Sequence, residues 1–190
     1  MPEIFVFGGC NGSGKSTLAN EILAYLKPSP EFVNADVIAA QLNPNDVDAA
    51  AITASRLMLE RINNLASQKV DFAFETTLAA RSFARFLKKC KGEGYRINLY
   101  YLWLESPDLA VERVARRVAS GGHDIPDDII RRRYQRGIKN FFELYSPLAD
   151  RWIVYDNYNQ RQKIAEKAFA QSQVIYQAII WQQISSSMNP

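Results

Sequence analysis

The chain has 190 residues, 47% of them apolar and 23% charged, the make-up of one globular domain with one core. Its two cysteines, Cys10 and Cys90, have neither the number nor the spacing of a disulfide or zinc framework, and no apolar run approaches the ~18 residues of a membrane span, so a cytoplasmic protein is expected. A net charge of +3 suits a phosphorylated small molecule as well as a nucleic acid and chooses neither.

From the N-terminus, Ile4-Phe5-Val6-Phe7 reads as a buried parallel strand, and it runs into Gly8-Gly9-Cys10-Asn11-Gly12-Ser13-Gly14-Lys15-Ser16-Thr17. The pattern GxxxxGK[ST] lies from Gly9 to Ser16. In a loop of this kind glycines let backbone N–H groups turn inward on an anion, and the helix that follows adds the positive end of its dipole. Lys15 would reach the β- and γ-phosphates, and the Ser16 hydroxyl would ligate Mg²⁺. Strand, loop and helix in this order mark Gly9 to Thr17 as a nucleoside triphosphate site, with ATP and Mg²⁺ as its ligands. Neither NKxD nor DxxG occurs in the chain, which favours adenine over guanine.

Leu18, Ile22, Leu23 and Leu26 recur at helical spacing until Lys27-Pro28-Ser29-Pro30 stops the helix. Glu31-Phe32-Val33-Asn34 is a second strand, residues 46–67 a long helix, and 70–75 a third strand. Phe83, Phe86 and Leu87 mark another helix, and Gly92-Glu93-Gly94 turns into a strand over 95–104. Ser106 reads as an N-cap with Pro107 in the first helical position. A helix over 126–145, a strand over 151–155 and a closing helix from about 160 to 184, clearest from Ile164 onward, complete the pattern, with a frayed tail over 185–190. Alternating strands and helices predict an α/β fold: a doubly wound, parallel, five-stranded sheet with helices on both faces, all in a single domain over 1–190.

In such sheets ligands lie beyond the carboxyl ends of the strands. The residues there are polar: Asn34-Ala35-Asp36, Glu75-Thr76-Thr77, Glu105 and Asp156-Asn157. Asp36 is the candidate base, because phosphoryl transfer needs a carboxylate beside the acceptor hydroxyl, although the same residue could cap the turn that follows. Glu75 and Thr77 stand where a substrate would be held, and Glu75 could instead order Mg²⁺ through water.

Between Arg113 and Arg136 lies a basic stretch, also holding Arg116, Arg117, Arg131, Arg132 and Arg133, which Gly121-Gly122 splits into two helical arms. Val111, Val114 and Val118 form the buried stripe of the first arm and leave Arg113 and Arg117 on an exposed side. Ile130, Tyr134, Phe141 and Tyr145 form the apolar face of the second, with Arg132, Arg136 and Asn140 opposite. Two arginine-bearing faces across a diglycine hinge predict a lid over about 113–136, closing on the transferring phosphoryl and excluding water. His123, the only histidine, is read as a residue of the lid turn rather than a base, and Trp103, Trp152 and Trp181 as packing residues.

The segments GGCNGSGKST, FVNADVIA, FAFETTLAAR and RVASGGHDIPDDIIRRRYQRGIKNFFELYSPLADRWIVYDN together resemble the zeta-toxin-like group of P-loop kinases, over residues from about Phe5 to Asn157. The resemblance implies an ATP-dependent kinase with ATP at Gly9 to Thr17, a proton acceptor at Asp36, substrate contacts at Glu75 and Thr77, and phosphate-stabilising arginines at Arg117 and Arg132. It also implies UDP-N-acetylglucosamine or a related UDP-sugar as acceptor, and an antitoxin protein as partner.

Three readings stand: a kinase acting on a hydroxyl of a small metabolite, a polynucleotide 5′-hydroxyl kinase, and a non-catalytic ATP-binding switch. The first leads, since a nucleic-acid partner would want a basic groove interleaved with aromatics and residues 131–136 supply one short stretch.

Overall fold

The computed structural model describes residues 1–122 and 124–187. His123 and the last three residues of the expected tail lie outside the described residues. At the centre is β1 (Glu3–Gly9), buried from Ile4 through Gly9, with β3 (Phe72–Thr76) parallel on one side and β4 (Arg96–Trp103) parallel on the other. β2 (Glu31–Val33) joins β3 and β5 (Arg151–Asp156) joins β4, again in parallel. Parallel strands covered on both faces read as continuous apolar runs, as Ile4 to Phe7 does.

The sheet has seven strands, in the order β2-β3-β1-β4-β5-β6-β7, two more than expected. The additions come from the segment predicted as the start of the closing helix. β6 (Gln162–Lys167) returns antiparallel along β5, β7 (Val174–Ile175) pairs with β6, and α8 (Ala178–Ser186) is all that remains of that helix. The reversal begins at Asp156, whose Oδ1 accepts from the Tyr158 N–H at 3.0 Å, a local turn of the kind aspartate favours. Ile164 and Ala165 then bury themselves against the sheet rather than on a helical stripe.

One face of the sheet is covered by α1 (Lys15–Leu23), whose Leu18, Ala19 and Leu23 pack on Phe5, Phe7, Tyr100 and Ile153. The other carries the main core under α3 (Val47–Ser67), α4 (Arg81–Gly92), α5 (Pro107–Ala119) and α6 (Asp127–Asn140). Ser106 caps α5 as expected, its Oγ accepting from the Leu109 N–H at 3.1 Å with Pro107 beside it. A short helix α2 (Ala35–Leu42) stands where no helix was predicted, and Ala39 of α2 packs with Ala50 and Ala54 of α3 in a small apolar cluster separate from the main core.

The helix expected to run to residue 145 ends as an α-helix at Asn140, continues as a π-turn over Phe141–Tyr145, and closes with α7 (Ser146–Leu148). Ile130, Tyr134, Phe141 and Tyr145 are buried, as their spacing predicted. Asn140 is buried too, against the expectation that it faces outward with Arg132 and Arg136, and its amide donates to the carbonyls of Leu78 (2.7 Å) and Ala79 (3.2 Å). Those carbonyls sit in an irregular loop with no strand partner, and a buried carbonyl without a donor is costly. Tyr134 Oη donates to Leu104 O at 2.7 Å and Tyr145 Oη to Ala80 O, so α6 and the π-turn after it are fastened at three points to the loops that follow β3 and β4. A lid that swings on Gly121-Gly122 therefore cannot include α6 without breaking these bonds.

Among the described residues no helix is long and apolar enough to cross a membrane.

Candidate active site

The carboxyl ends of β1, β2 and β3 open into a cleft of about 750 Å³ bounded by the phosphate loop, by α2 and α3, by the β3–α4 loop, and by α5 and α6. The loop reverses the chain so that Lys15 begins α1, with Gly14 as N-cap at φ 90, ψ 22, a left-handed conformation natural to glycine. Lys15 is only 8% exposed, and its Nζ donates to the Cys10 carbonyl at 2.9 Å, which holds the ammonium at the loop's mouth. Asn11 and Ser13 are buried with it. The Cys10 thiol is enclosed, and burial pushes its pKa up to about 11 against the lowering pull of Lys15 and Arg113.

Ser16 Oγ donates to Glu75 Oε2 at 2.7 Å. Since β3 lies beside β1, the end of β3 brings Glu75 to the hydroxyl expected to ligate Mg²⁺, and this favours the metal-side alternative for Glu75 over direct contact with a substrate. A serine hydroxyl and a carboxylate are hard oxygen donors of the type Mg²⁺ selects, and few protein oxygens suffice because the ion keeps waters and phosphate oxygens as ligands. Among the described residues no group of three or more His, Cys, Asp or Glu could hold a metal by itself. Thr77 lines the same cleft, its Oγ1 accepting from the Ala79 N–H at 3.5 Å.

Asp36 lies on the opposite wall, as the second residue of α2. The cap of that helix is Asn34, whose Oδ1 accepts the Asp36 N–H at 2.8 Å, so the capping role weighed for Asp36 belongs to its neighbour. The Asp36 carboxylate remains available to the cleft.

The arginines divide by position. Arg113, Arg117, Arg132, Arg133 and Arg136 all line the cleft. Arg133, passed over in the sequence reading in favour of Arg132, reaches the loop: its Nη1 donates to Asn11 Oδ1 at 3.4 Å. Burial lowers its pKa, the charge of Asp36 raises it and that of Arg132 lowers it again, so Arg133 senses both Asp36 across the cleft and the neighbouring guanidinium. The signal that could have found it is Gly137, one turn later on the same face, which lets α6 approach the β3–α4 loop closely. Arg113, expected on the exposed side with Arg117, is half-buried and donates through Nη2 to the carbonyls of Asn157 (2.7 Å) and Tyr158 (2.5 Å). Arg131 pairs with Asp108 of α5 at 2.5 Å and does not line the cleft.

A family model described as zeta toxin matches residues 1–167. An uncharacterized protein of Haemophilus influenzae is 34% identical over 127 residues, covering 66% of this chain and 88% of that protein. Among solved structures, the AvrRxo1-ORF1:-ORF2 complex with ATP superposes with a TM-score of 0.80 at 15% identity, covering all of this chain, which spans 65% of the length of the chain it matches. The PezAT chromosomal toxin-antitoxin system of Streptococcus pneumoniae superposes with a TM-score of 0.62 at 14% identity, covering 99% of this chain and 86% of that one. At these identities the superpositions speak to the fold alone, a mostly parallel sheet flanked by helices.

Proposed function

This chain belongs to the zeta toxin family, and from that premise we propose that it is an ATP-dependent phosphotransferase that moves the γ-phosphate to a hydroxyl of a small metabolite. The observation that carries the reading is the meeting of three groups around one cleft: the loop with Lys15 and Ser16, the Asp36 carboxylate, and the Arg133 guanidinium between them.

The residues from Gly9 to Thr17 hold the triphosphate, with Lys15 on the β- and γ-phosphates. Ser16, with Glu75 behind it, would hold Mg²⁺, which when bound offsets negative charge on the phosphate oxygens. Asp36 accepts the proton of the acceptor hydroxyl as the oxygen attacks phosphorus in line with the departing ADP. Arg133, Arg132 and Arg117 supply positive charge to the transferring phosphoryl, and a group already placed does this without reorganising during transfer. Thr77 faces the acceptor. Cleft-lining Val47, Ala51, Met58, Leu59 and Phe83 form an apolar wall on the acceptor side and keep water from competing for the phosphate.

The acceptor expected from the family resemblance is a UDP-sugar, and the cleft arginines suit its diphosphate. A protein partner is part of the same reading, because the AvrRxo1-ORF1 and PezAT structures are described as complexes or toxin-antitoxin systems. The decisive experiment incubates the protein with Mg-ATP and a panel of UDP-sugars, nucleosides, oligonucleotides and a metabolite extract, with mass spectrometry reading the gain of phosphate. Transfer to a small hydroxyl compound is expected. Transfer to oligonucleotides alone, or tight ATP binding with no transfer at all, would overturn the proposal in favour of a polynucleotide kinase or a switch.

A further inference from the structure

Asn157 follows β5 and takes no part in the chemistry above. Its backbone N–H donates to the Trp103 carbonyl at 3.2 Å, which fixes it at the end of the β4–β5 ladder. Its side-chain amide reaches across and donates through Nδ2 to the Ser13 carbonyl at 2.8 Å. Gly14 comes next with φ +90, and a Cβ there would lie 2.7 Å from the same nitrogen. The amide thus fills the space beside the Ser13–Gly14 peptide and grips its oxygen.

In a planar trans peptide the carbonyl and the following N–H point to opposite sides of the chain. With the Ser13 oxygen turned toward Asn157, the Gly14 N–H is turned the other way. Gly14 lines the cleft and Asn157 does not, so the other way is toward the cleft. Arg113 holds the same turn from α5 through the carbonyls of Asn157 and Tyr158, which leaves a continuous set of bonds from α5 through the end of β5 to the phosphate loop.

We propose that Asn157 is a positioning residue that sets the Ser13–Gly14 peptide with its N–H toward the nucleotide phosphates, and that Arg113 fixes Asn157 in turn. The inference rests on reading the loop as a phosphate site. Without the amide the peptide is free to rotate, and its N–H is lost as a donor to an anion for part of the time. A hydrogen bond to a charged partner is worth roughly 10- to 100-fold in affinity.

The test measures ADP and adenosine binding to the intact chain by calorimetry at pH 7.5. Asn157→Ala is expected to bind ADP about 10- to 100-fold more weakly while adenosine binding is unchanged. Asn157→Asp keeps the size but offers no proton and adds a carboxylate that is ionised at this pH, so its ADP deficit should be at least as large as that of the alanine variant. A residue that merely packs within the fold would weaken ADP and adenosine alike. ADP affinity of Asn157→Ala within twofold of native, or an equal loss of ADP and adenosine, would overturn the proposal. Failure of the native protein to bind ADP would instead remove the phosphate-loop reading, and this inference with it.

Discussion

Gly137 of α6 passes so close to the Thr77 carbonyl that a Cβ there would lie 2.6 Å from the oxygen. This contact lets Asn140 reach Leu78 and Ala79 and brings Arg133, one turn earlier, to Asn11. Glycine inside a helix normally costs about 1 kcal/mol relative to alanine, so Gly137→Ala would be stabilising on an open surface. Here the alanine methyl meets backbone, and overpacking of this kind costs about 1 to 3 kcal/mol. The expected outcome is a lower thermal midpoint, by roughly 2–4 °C per kcal/mol lost for a chain of this size, together with lower turnover. A midpoint equal to or above native would show that α6 does not need this contact.

Asn34 and Asp36 separate capping from chemistry. Asn34→Ala removes the cap of α2 and should lower stability by about 1 kcal/mol in denaturant unfolding. Asp36→Asn leaves the cap in place and should keep both stability and ATP affinity, while phosphate transfer falls by at least about 10²-fold because an amide cannot take the acceptor's proton. Native-like transfer by Asp36→Asn would end its assignment as the base.

Among the arginines, Arg133→Ala should lower turnover by about 10²- to 10³-fold with a much smaller change in ATP affinity, the usual effect of losing one donor to charge that develops in the transition state. Arg117→Ala and Arg132→Ala should act in the same direction, with Arg133 ranked first because its guanidinium donates to Asn11 of the phosphate loop. If single-turnover rates ranked Arg133 below both of the others, the priority given to it would be wrong.

How much of this was legible beforehand depends on whether the cause was local. The phosphate loop, the Ser106 cap and the five parallel strands each rest on a few adjacent residues, and all lie where the pattern put them. Asn140 was misplaced because apolar periodicity cannot register a buried amide whose partners are carbonyls some 60 residues away. Arg113 was misread similarly, its acceptors being created by the turn after β5. The segment from Gln162 to Lys167 was read into the closing helix, and only the presence of β5 as a neighbour makes it a strand.

Glu75 and Ser16 bear on the metal. Glu75→Gln keeps the hydrogen-bonding shape but removes the charge, and loss of an outer ligand's partner commonly weakens metal affinity roughly 10-fold or more. Half-maximal transfer should need correspondingly more Mg²⁺, with the maximum rate partly recovered at saturating metal. A Mg²⁺ requirement identical to native would return Glu75 to the acceptor side.

Cys10 should be chemically quiet despite its place in the loop. The thiolate is the reactive form, and a pKa pushed up to about 11 leaves roughly one thiol in 10³ to 10⁴ ionised near neutral pH. Treatment with iodoacetamide at pH 7.5 should leave transfer intact and the Cys10 peptide unmodified, with reaction rising as the pH approaches 11. Rapid alkylation at neutral pH would mean that the loop opens readily in solution.

The alanine cluster that joins α2 to the first half of α3 stands apart from the main core and bears on which wall of the cleft opens more readily. Methyl groups bury little area, and even with the partly buried Ile38 and Val47 beside them, Ala39, Ala50 and Ala54 join their helices through less apolar surface than Tyr134, Phe141 and Tyr145 place around α6 and the π-turn. Local opening is drawn from the least stable part of a fold, and backbone amides over 35–55 should accordingly exchange with solvent faster than those over 127–140. If that order holds, Asp36 stands on the wall that opens first and Arg133 on the firmer one, so that closure would carry the proposed base toward an acceptor the arginine already faces.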